Sequence, residues 1–335
     1  MNKWVQPAAA SVLFVATLLL ALSMHTIPAL LSGLLAFALT RHLLGFLQRY
    51  PNMQLILGHE HLAGLLVGLG SFVVLAAIGM GVAHLLEGES LKGLMLTLAV
   101  TIKQSKHYLP LSVASQLPET VLELKERFSD SLREHAGTLA DIGTHAMHTL
   151  VLTLIGWIAG VLAAVRKPCA EKLAPFTSTW LKLWQQLGIA FEHVAFAQCK
   201  IAGLNAALTG IFLLGICPLF GWHIPFAKSM VLVTFLCSLI PVVGNLVSNT
   251  AICTLALGVS LPAAAAALGF LVVVHKLEYF MNARIQGHEI GAQAWELLIM
   301  LFSFELLFGP IGMAAAPVFY AFVKNELRRH AWLTK

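Results

Sequence analysis

The chain has 335 residues, 58% of them hydrophobic and only 11% charged, and its mean hydropathy is +0.82. A soluble domain carries about a quarter charged residues, so this sequence cannot cover a globule in water and reads as an integral membrane protein. Its net charge of +5 and pI near 9.0 come with no nucleic-acid-binding stripe, and the basic residues are better explained by the bias of Lys and Arg toward cytoplasmic loops.

Apolar runs of roughly 17 residues or more recur, each long enough to cross about 30 Å of hydrocarbon as a helix. Period-2 alternation is absent, which excludes a transmembrane barrel. Residues 8–24 and 28–47 form the first two apolar runs, and the second begins so soon that the pair predicts a helical hairpin turning at His25 to Pro28, not a cleaved signal peptide. Residues 62–86 give a third helix, with Gly64 and Gly68 at the spacing that lets helices approach closely.

From Glu87 to His148 charged residues return. Val121, Leu124, Phe128, Leu132, Ala136 and Leu139 recur at helical spacing opposite Glu123, Arg127 and Asp130, predicting an amphipathic helix. Residues 149–165 form a fourth spanning helix, closed by Arg166-Lys167-Pro168. Residues 169–200, with Trp180, Trp184 and several lysines, suit an interfacial segment. A fifth helix is expected from about Ile201 to Phe220, with shorter ones over 226–240, 243–259 and 261–282, and a loop over Arg284 to Gln293. Residues 294–323 are apolar except for Glu296 and Glu305. They are interrupted at Gly309-Pro310-Ile311-Gly312, so each arm is short for a span of about 20 residues and a re-entrant or broken hairpin fits better than two full helices, with a single long kinked helix as the alternative.

The fold class is therefore all-α: a polytopic membrane protein of about eight transmembrane helices with a re-entrant or broken hairpin near the C terminus and a small helical extramembrane insert. The implied organisation is 1–86 (three transmembrane helices), 87–148 (the insert) and 149–335 (the transmembrane region that carries the chemistry). If the N terminus is cytoplasmic, Lys3, Arg41, Arg49, the Arg166 to Lys200 group, Arg284 and the C-terminal basic residues all lie inside, so both termini are expected in the cytoplasm. The GxxxG spacings at Gly64, Gly156 and Gly287 permit close helix contacts, including those of a homo-oligomer.

Ionisable groups at membrane depth are costly and mark ion or substrate paths by default. His275, Lys276, Glu278 and Arg284 close the apolar run that begins at Leu261. Burial and a neighbouring cation pull a carboxylate in opposite directions, which suits Glu278 to proton or cation exchange; the alternative is an ion pair with Lys276 or Arg284 at the interface. Glu305, just before the Gly309–Pro310 break, is a second path candidate, whereas Glu296 beside Trp295 suits an interfacial role. Nine residues apart, the two acids point to opposite sides of an ideal helix and do not form one site.

Gln198, Asn205 and Thr209 form a polar stripe on the fifth helix, either lining a path or bonding a neighbouring helix. Pro241 and Gly244 break the chain before Asn245, Ser248 and Asn249, which share a face; these residues cap the helix or face a polar path. The five cysteines are scattered without a CxxC and read as small core residues. Asp141, His145 and His148, and His59-Glu60-His61, read as solvated histidines, so no metal is expected, and no cofactor motif is present. No nucleophile and base pair by spacing, so no enzyme is expected.

The C-terminal third resembles the AI-2E family of bacterial membrane proteins, the PerM-like permeases named for export of autoinducer-2. The residues that carry the resemblance are Ile240-Pro241-Val242-Val243-Gly244-Asn245, the segment from Leu277-Glu278 to Gly287, Gly309-Pro310-Ile311-Gly312 with Ala316-Pro317, and Gln198. It is best from about 190 to 324. Many relatives carry a proline about six residues after the acidic residue, where this chain has Arg284, marking a divergent branch. The resemblance implies a permease of the bacterial inner membrane; some relatives look like cation/proton antiporters. The expected function is movement of a small polar solute, or exchange of a cation for protons, past Glu278, Arg284, Glu305, Asn245, Asn249, Gln198 and Asn205. From a different class, the alternative is a membrane scaffold whose 87–148 insert binds a partner protein.

Overall fold

The computed structural model describes residues 5–24, 26–49, 58–86, 133–166, 173–239 and 243–329, with isolated positions between 126 and 130. Among these residues the chain is all-α, without a strand. The helices are α1 (Val5–Ser23), α2 (Ile27–Leu47), α3 (His59–Leu86), α4 (Ala136–Val165), α5 (Pro175–Leu219), α6 (Ala227–Ser238), α7 (Val243–Val259), α8 (Leu261–Ile290) and α9 (Ala294–Arg329). Among the described residues α1, α2, α4 and α5 are long and apolar enough to cross a membrane, and the bent pair Arg284–Ile290 with Ala294–Gly309 is either a fifth, broken span or a re-entrant loop. Shorter apolar helices cover Ala227–Ser238, Gly244–Val259 and Leu261–Val274. The molecule is a polytopic membrane protein.

The chain forms two compact units, one of residues 1–76, 146–197 and 286–335, the other of residues 77–145 and 198–285. In the first, α1 and α2 join through a turn in which the Thr26 amide and hydroxyl both donate to the Ala21 carbonyl, 3.1 and 3.2 Å away. Pro28 then enters the first turn of α2, where a missing N–H costs nothing. The core of this unit is Phe14, Leu18 and Leu22 of α1 against Leu187, Phe191 and Val194 of α5 and Phe319 and Phe322 of α9. Phe14 makes edge contacts with Trp180 and Trp184, at centroid distances of 5.8 and 5.2 Å. Helices α2 and α4 cross almost backbone to backbone: a Cβ on Gly156 would strike Ala29, and one on Gly160 would strike Gly33. Beside them the Ser32 hydroxyl donates to the Thr153 carbonyl at 2.8 Å. Gly64 of α3 lies against Val161 and Val165, whereas Gly68 has nothing within 4 Å.

The second unit packs Phe212, Leu213 and Cys217 of α5 with Met230 of α6, Ile252, Leu255 and Ala256 of α7 and Ala267 and Leu271 of α8. Phe212 and Phe270 stack with centroids 4.1 Å apart. Residues Ile211–Ile216 of α5 are π-helical.

Several boundaries differ from the sequence reading. The expected interfacial segment 169–200 is instead continuous with the fifth helix from Pro175, because Leu183, Leu187, Ala190 and Val194 fall on one buried face and the tryptophans pack on that core. The fourth helix begins at Ala136 instead of 149, within the expected amphipathic stretch, whose earlier apolar positions Val121, Leu124, Phe128 and Leu132 lie outside the described residues. The expected loop over Arg284 to Gln293 is largely helix. Here α8 runs to Ile290 and stops at Gly291 (φ 64°), where the Ala292 amide reaches back to the Gly287 carbonyl at 2.9 Å, a Schellman-type cap. The chain then bends by 95° into α9.

Helix α9 folds back on itself. Gly309 has φ 70° and ψ −167°, a conformation open essentially to glycine alone. Past it, Gly312 sits against the Phe304 carbonyl and Phe319 lies 5.7 Å from Phe304. Glu296 accepts hydrogen bonds from Tyr320 and Lys324, each at 2.6 Å. A straight helix would hold Glu296 and Tyr320 about 36 Å apart, so the two arms form the broken hairpin expected from the Gly309–Pro310 interruption. The side chains of Pro310 and Ile311 lie outside the described residues.

Candidate functional site: a polar cluster among four helices

The second unit contains a knot of neutral polar side chains. Its centre is Ser238, the last residue of α6, which is 1% exposed. A helix leaves its final carbonyls without internal partners, and the Ser238 carbonyl is met by Gln198, whose Nε2 donates to it at 2.6 Å. The Ser238 hydroxyl donates to Asn245 Oδ1 at 2.5 Å and faces Asn205 Nδ2 at a longer 3.4 Å. Gln198, Asn205 and Thr209 stand on one stripe of α5, Thr234 and Ser238 one turn apart on α6, and Asn245 and Asn249 one turn apart on α7.

Close approach of α6 and α7 sets this geometry. A Cβ on Gly244 would collide with the Cys237 carbonyl, so only glycine lets α7 begin this near the end of α6 and brings Asn245 within reach of Ser238. The Ser248 hydroxyl donates to the Asn245 carbonyl at 3.2 Å. Pro241, the other half of the expected break, lies outside the described residues, as do Ile240 and Val242.

Beside the knot is a small cavity lined by Asn205, Thr209, Thr234, Asn245, Asn249 and, from α8, Leu271 and Val274. It has about 10 Å³ of water-accessible space, room for about one water molecule. Thr234 is 3% exposed and its Oγ1 has no hydrogen-bond partner among the described residues. A buried hydroxyl without a partner costs about 1–3 kcal/mol, so this group calls for a water or a passing polar ligand. The lining offers amides and hydroxyls and no charged side chain: it can exchange hydrogen bonds with a small guest but not transfer a proton through an acid or base.

A sequence model of the AI-2E family transporter matches residues 9–331, nearly the whole chain. The chain belongs to the AI-2E family. The match extends well beyond the C-terminal third and takes in the first helices and the insert. No curated protein and no solved structure gives a match. Membership makes this protein a membrane transporter in the general sense.

Of the positions singled out in the sequence, the structure brings together Gln198, Asn205, Asn245 and Asn249. Glu278 lies on α8, but its side chain, like that of His275, is outside the described residues. Arg284 is on the same helix and exposed. Glu305 belongs to the first unit, on the first arm of α9, and is exposed, with no hydrogen bond or ion pair among the described residues. Glu296 closes the α9 hairpin. It accepts from the Gln293 amide at 2.8 Å, satisfying one free N–H at the start of α9, and from Tyr320 and Lys324 of the second arm.

Thr234 and Ser238 were missed. A pair of hydroxyl residues one turn apart in a 12-residue apolar helix that ends just before Pro241-Val242-Val243-Gly244 was the available signal, since a helix about 18 Å long cannot span alone and its end must be satisfied by protein.

Proposed function

We propose that this AI-2E family transporter moves a small polar solute, or exchanges a cation for protons, along a path whose narrowest point is the Asn205–Ser238–Asn245 cluster. The observation that carries this reading is the convergence of polar side chains from α5, α6 and α7 on a cavity that also leaves the Thr234 hydroxyl unpartnered. Packed apolar side chains would fill that space at lower cost if the helices only had to hold together. The neutral lining favours a guest recognised by hydrogen bonds, and Glu278 and Arg284, farther along α8, supply the charged groups for any coupling to protons. The setting is a bacterial inner membrane, with both termini cytoplasmic as the distribution of basic residues implies.

Counterflow in proteoliposomes over a panel of small polar solutes and monovalent cations, with and without an imposed pH gradient, tests this. Asn245→Leu, which fills the cavity with hydrocarbon, should abolish transport of whichever substrate the wild type accepts. Undiminished transport by a correctly inserted Asn245→Leu protein would overturn the path.

A further inference from the structure

The first unit carries a second, larger cavity, of about 370 Å³, lined by Arg41, Leu44, Gly45, Gln48, Glu60, Ala164 and Arg166. Three helix ends build it: the last turns of α2, the first turn of α3 and the residue just past α4. Leu44 and Ala164 are buried and form a packed base, held by Leu47 and Ala63 between α2 and α3 and by Gly64 against Val165 between α3 and α4. Arg41, Gln48 and Arg166 are exposed around it, and with Glu60 the lining is net positive. The Arg41 guanidinium lies 6.0 Å from the centroid of the Phe37 ring, which limits where it can point.

We propose that this cavity binds the phosphate headgroup of a phospholipid. Two guanidiniums present planar forks that match phosphate oxygens, and basic pockets between transmembrane helices at the membrane surface are suited to anionic headgroups. The surfaces beside the cavity say why the ligand is a lipid. On α4 the exposed residues Val151, Ile155, Ile158 and Leu162 recur at spacings of four, three and four and lead up to Arg166, four residues beyond. On α3, Leu65, Leu69 and Phe72 form a like stripe, 47%, 58% and 70% exposed, that starts one turn past Glu60. An acyl chain lying on either stripe carries its phosphate to the level of the arginines. Gly45 completes the shape: an added Cβ there would meet no atom within 4 Å, so the missing side chain leaves room for a ligand and not for protein.

The test is a thermal-shift titration of the full-length protein in neutral detergent with three probes: dioctanoyl phosphatidylglycerol, dioctanoylglycerol and inorganic phosphate. Phosphatidylglycerol is expected to raise the melting temperature of the wild type saturably, and the other two are not. Arg41→Gln with Arg166→Gln should weaken binding by about tenfold or more for each guanidinium lost. Gly45→Trp, which keeps both guanidiniums and starts from a position where an added Cβ meets nothing, puts an indole into the cavity and should abolish the shift, while the protein still gives a cooperative melting transition without lipid. Equal stabilisation by inorganic phosphate would make this a site for free anions, and equal stabilisation by dioctanoylglycerol would show that the headgroup is not read; either overturns the proposal. So does no shift in the wild type, or an undiminished shift in Gly45→Trp and in the double arginine variant.

Discussion

Replacing Ser238 by Ala removes the hydroxyl on which α6 and α7 meet and leaves the backbone in place. The side chain is 1% exposed, so bulk solvent does not reach the groups that lose their partner. Asn245 Oδ1 loses a donor at 2.5 Å, and Asn205 Nδ2 loses an acceptor at 3.4 Å whose length marks it as the weaker of the two. A buried polar group left without its partner costs about 1–3 kcal/mol in soluble proteins, while side-chain hydrogen bonds between transmembrane helices average about 0.6 and reach about 1.7 kcal/mol. Both amides have further interactions, so the sum falls at about 1–2 kcal/mol. For a chain of this size that is a fall of a few degrees in melting temperature. The Gln198 bond is unaffected because it ends on the Ser238 carbonyl. Melting followed in detergent, with transport measured on the same preparation, reads both consequences: Ser238→Ala should melt lower and transport at least tenfold more slowly, while Ser238→Thr, which keeps a hydroxyl, should retain more of both. If Ser238→Ala melts and transports as the wild type does, the hydroxyl does not join the two helices and the cluster is not the site.

Three further outcomes follow from other parts of the molecule. Gly156→Val would push α4 off the Ala29 backbone and should cost about 1–3 kcal/mol by overpacking, read as a lower melting temperature, whereas Gly68→Val, with open space around it, should change little. Gly309→Ala forces a side chain into a glycine-only conformation, so a loss of about 1–3 kcal/mol is expected, with faster proteolysis near the hairpin tip as its signature. Glu278→Gln should leave melting and membrane insertion intact and suppress the pH-gradient dependence of transport; unchanged dependence would remove Glu278 from the coupling step.

Much of this fold is legible in the sequence because the bilayer leaves few options: every long apolar run must be a helix, and the α1–α2 turn at Thr26 and Pro28 follows from local rules. The α9 hairpin was legible for the same reason, as Gly309–Pro310 divides the run into arms too short to span. What escaped was continuity. Pro175 begins α5 more than two turns before Trp184, yet the lysines of that stretch read as an interface, since a sequence does not show that Leu183, Leu187 and Val194 meet Phe14. Similarly, Arg284 looked like a loop residue although nothing stops α8 before Gly291.

The candidate site shows the same division between local and distant information. The stripes Gln198–Asn205–Thr209 and Asn245–Asn249 each follow from helical spacing, but that both converge on one serine depends on Gly244 letting α7 start against the Cys237 carbonyl. This contact also explains why the break need not be costly. Backbone that leaves a helix at membrane depth is tolerated where protein satisfies it, and Gln198 does so at the Ser238 carbonyl. The hydroxyls and amides beside that carbonyl are then available to a guest without unravelling the helix end. On the proposed path, a structural role and a transport role would fall on neighbouring atoms of the same residue, and they separate by experiment. Gln198→Leu strips the partner from the carbonyl and should lower stability first, with transport lost only as the fold loosens; Asn249→Leu touches the cavity without touching that carbonyl and should reverse the order.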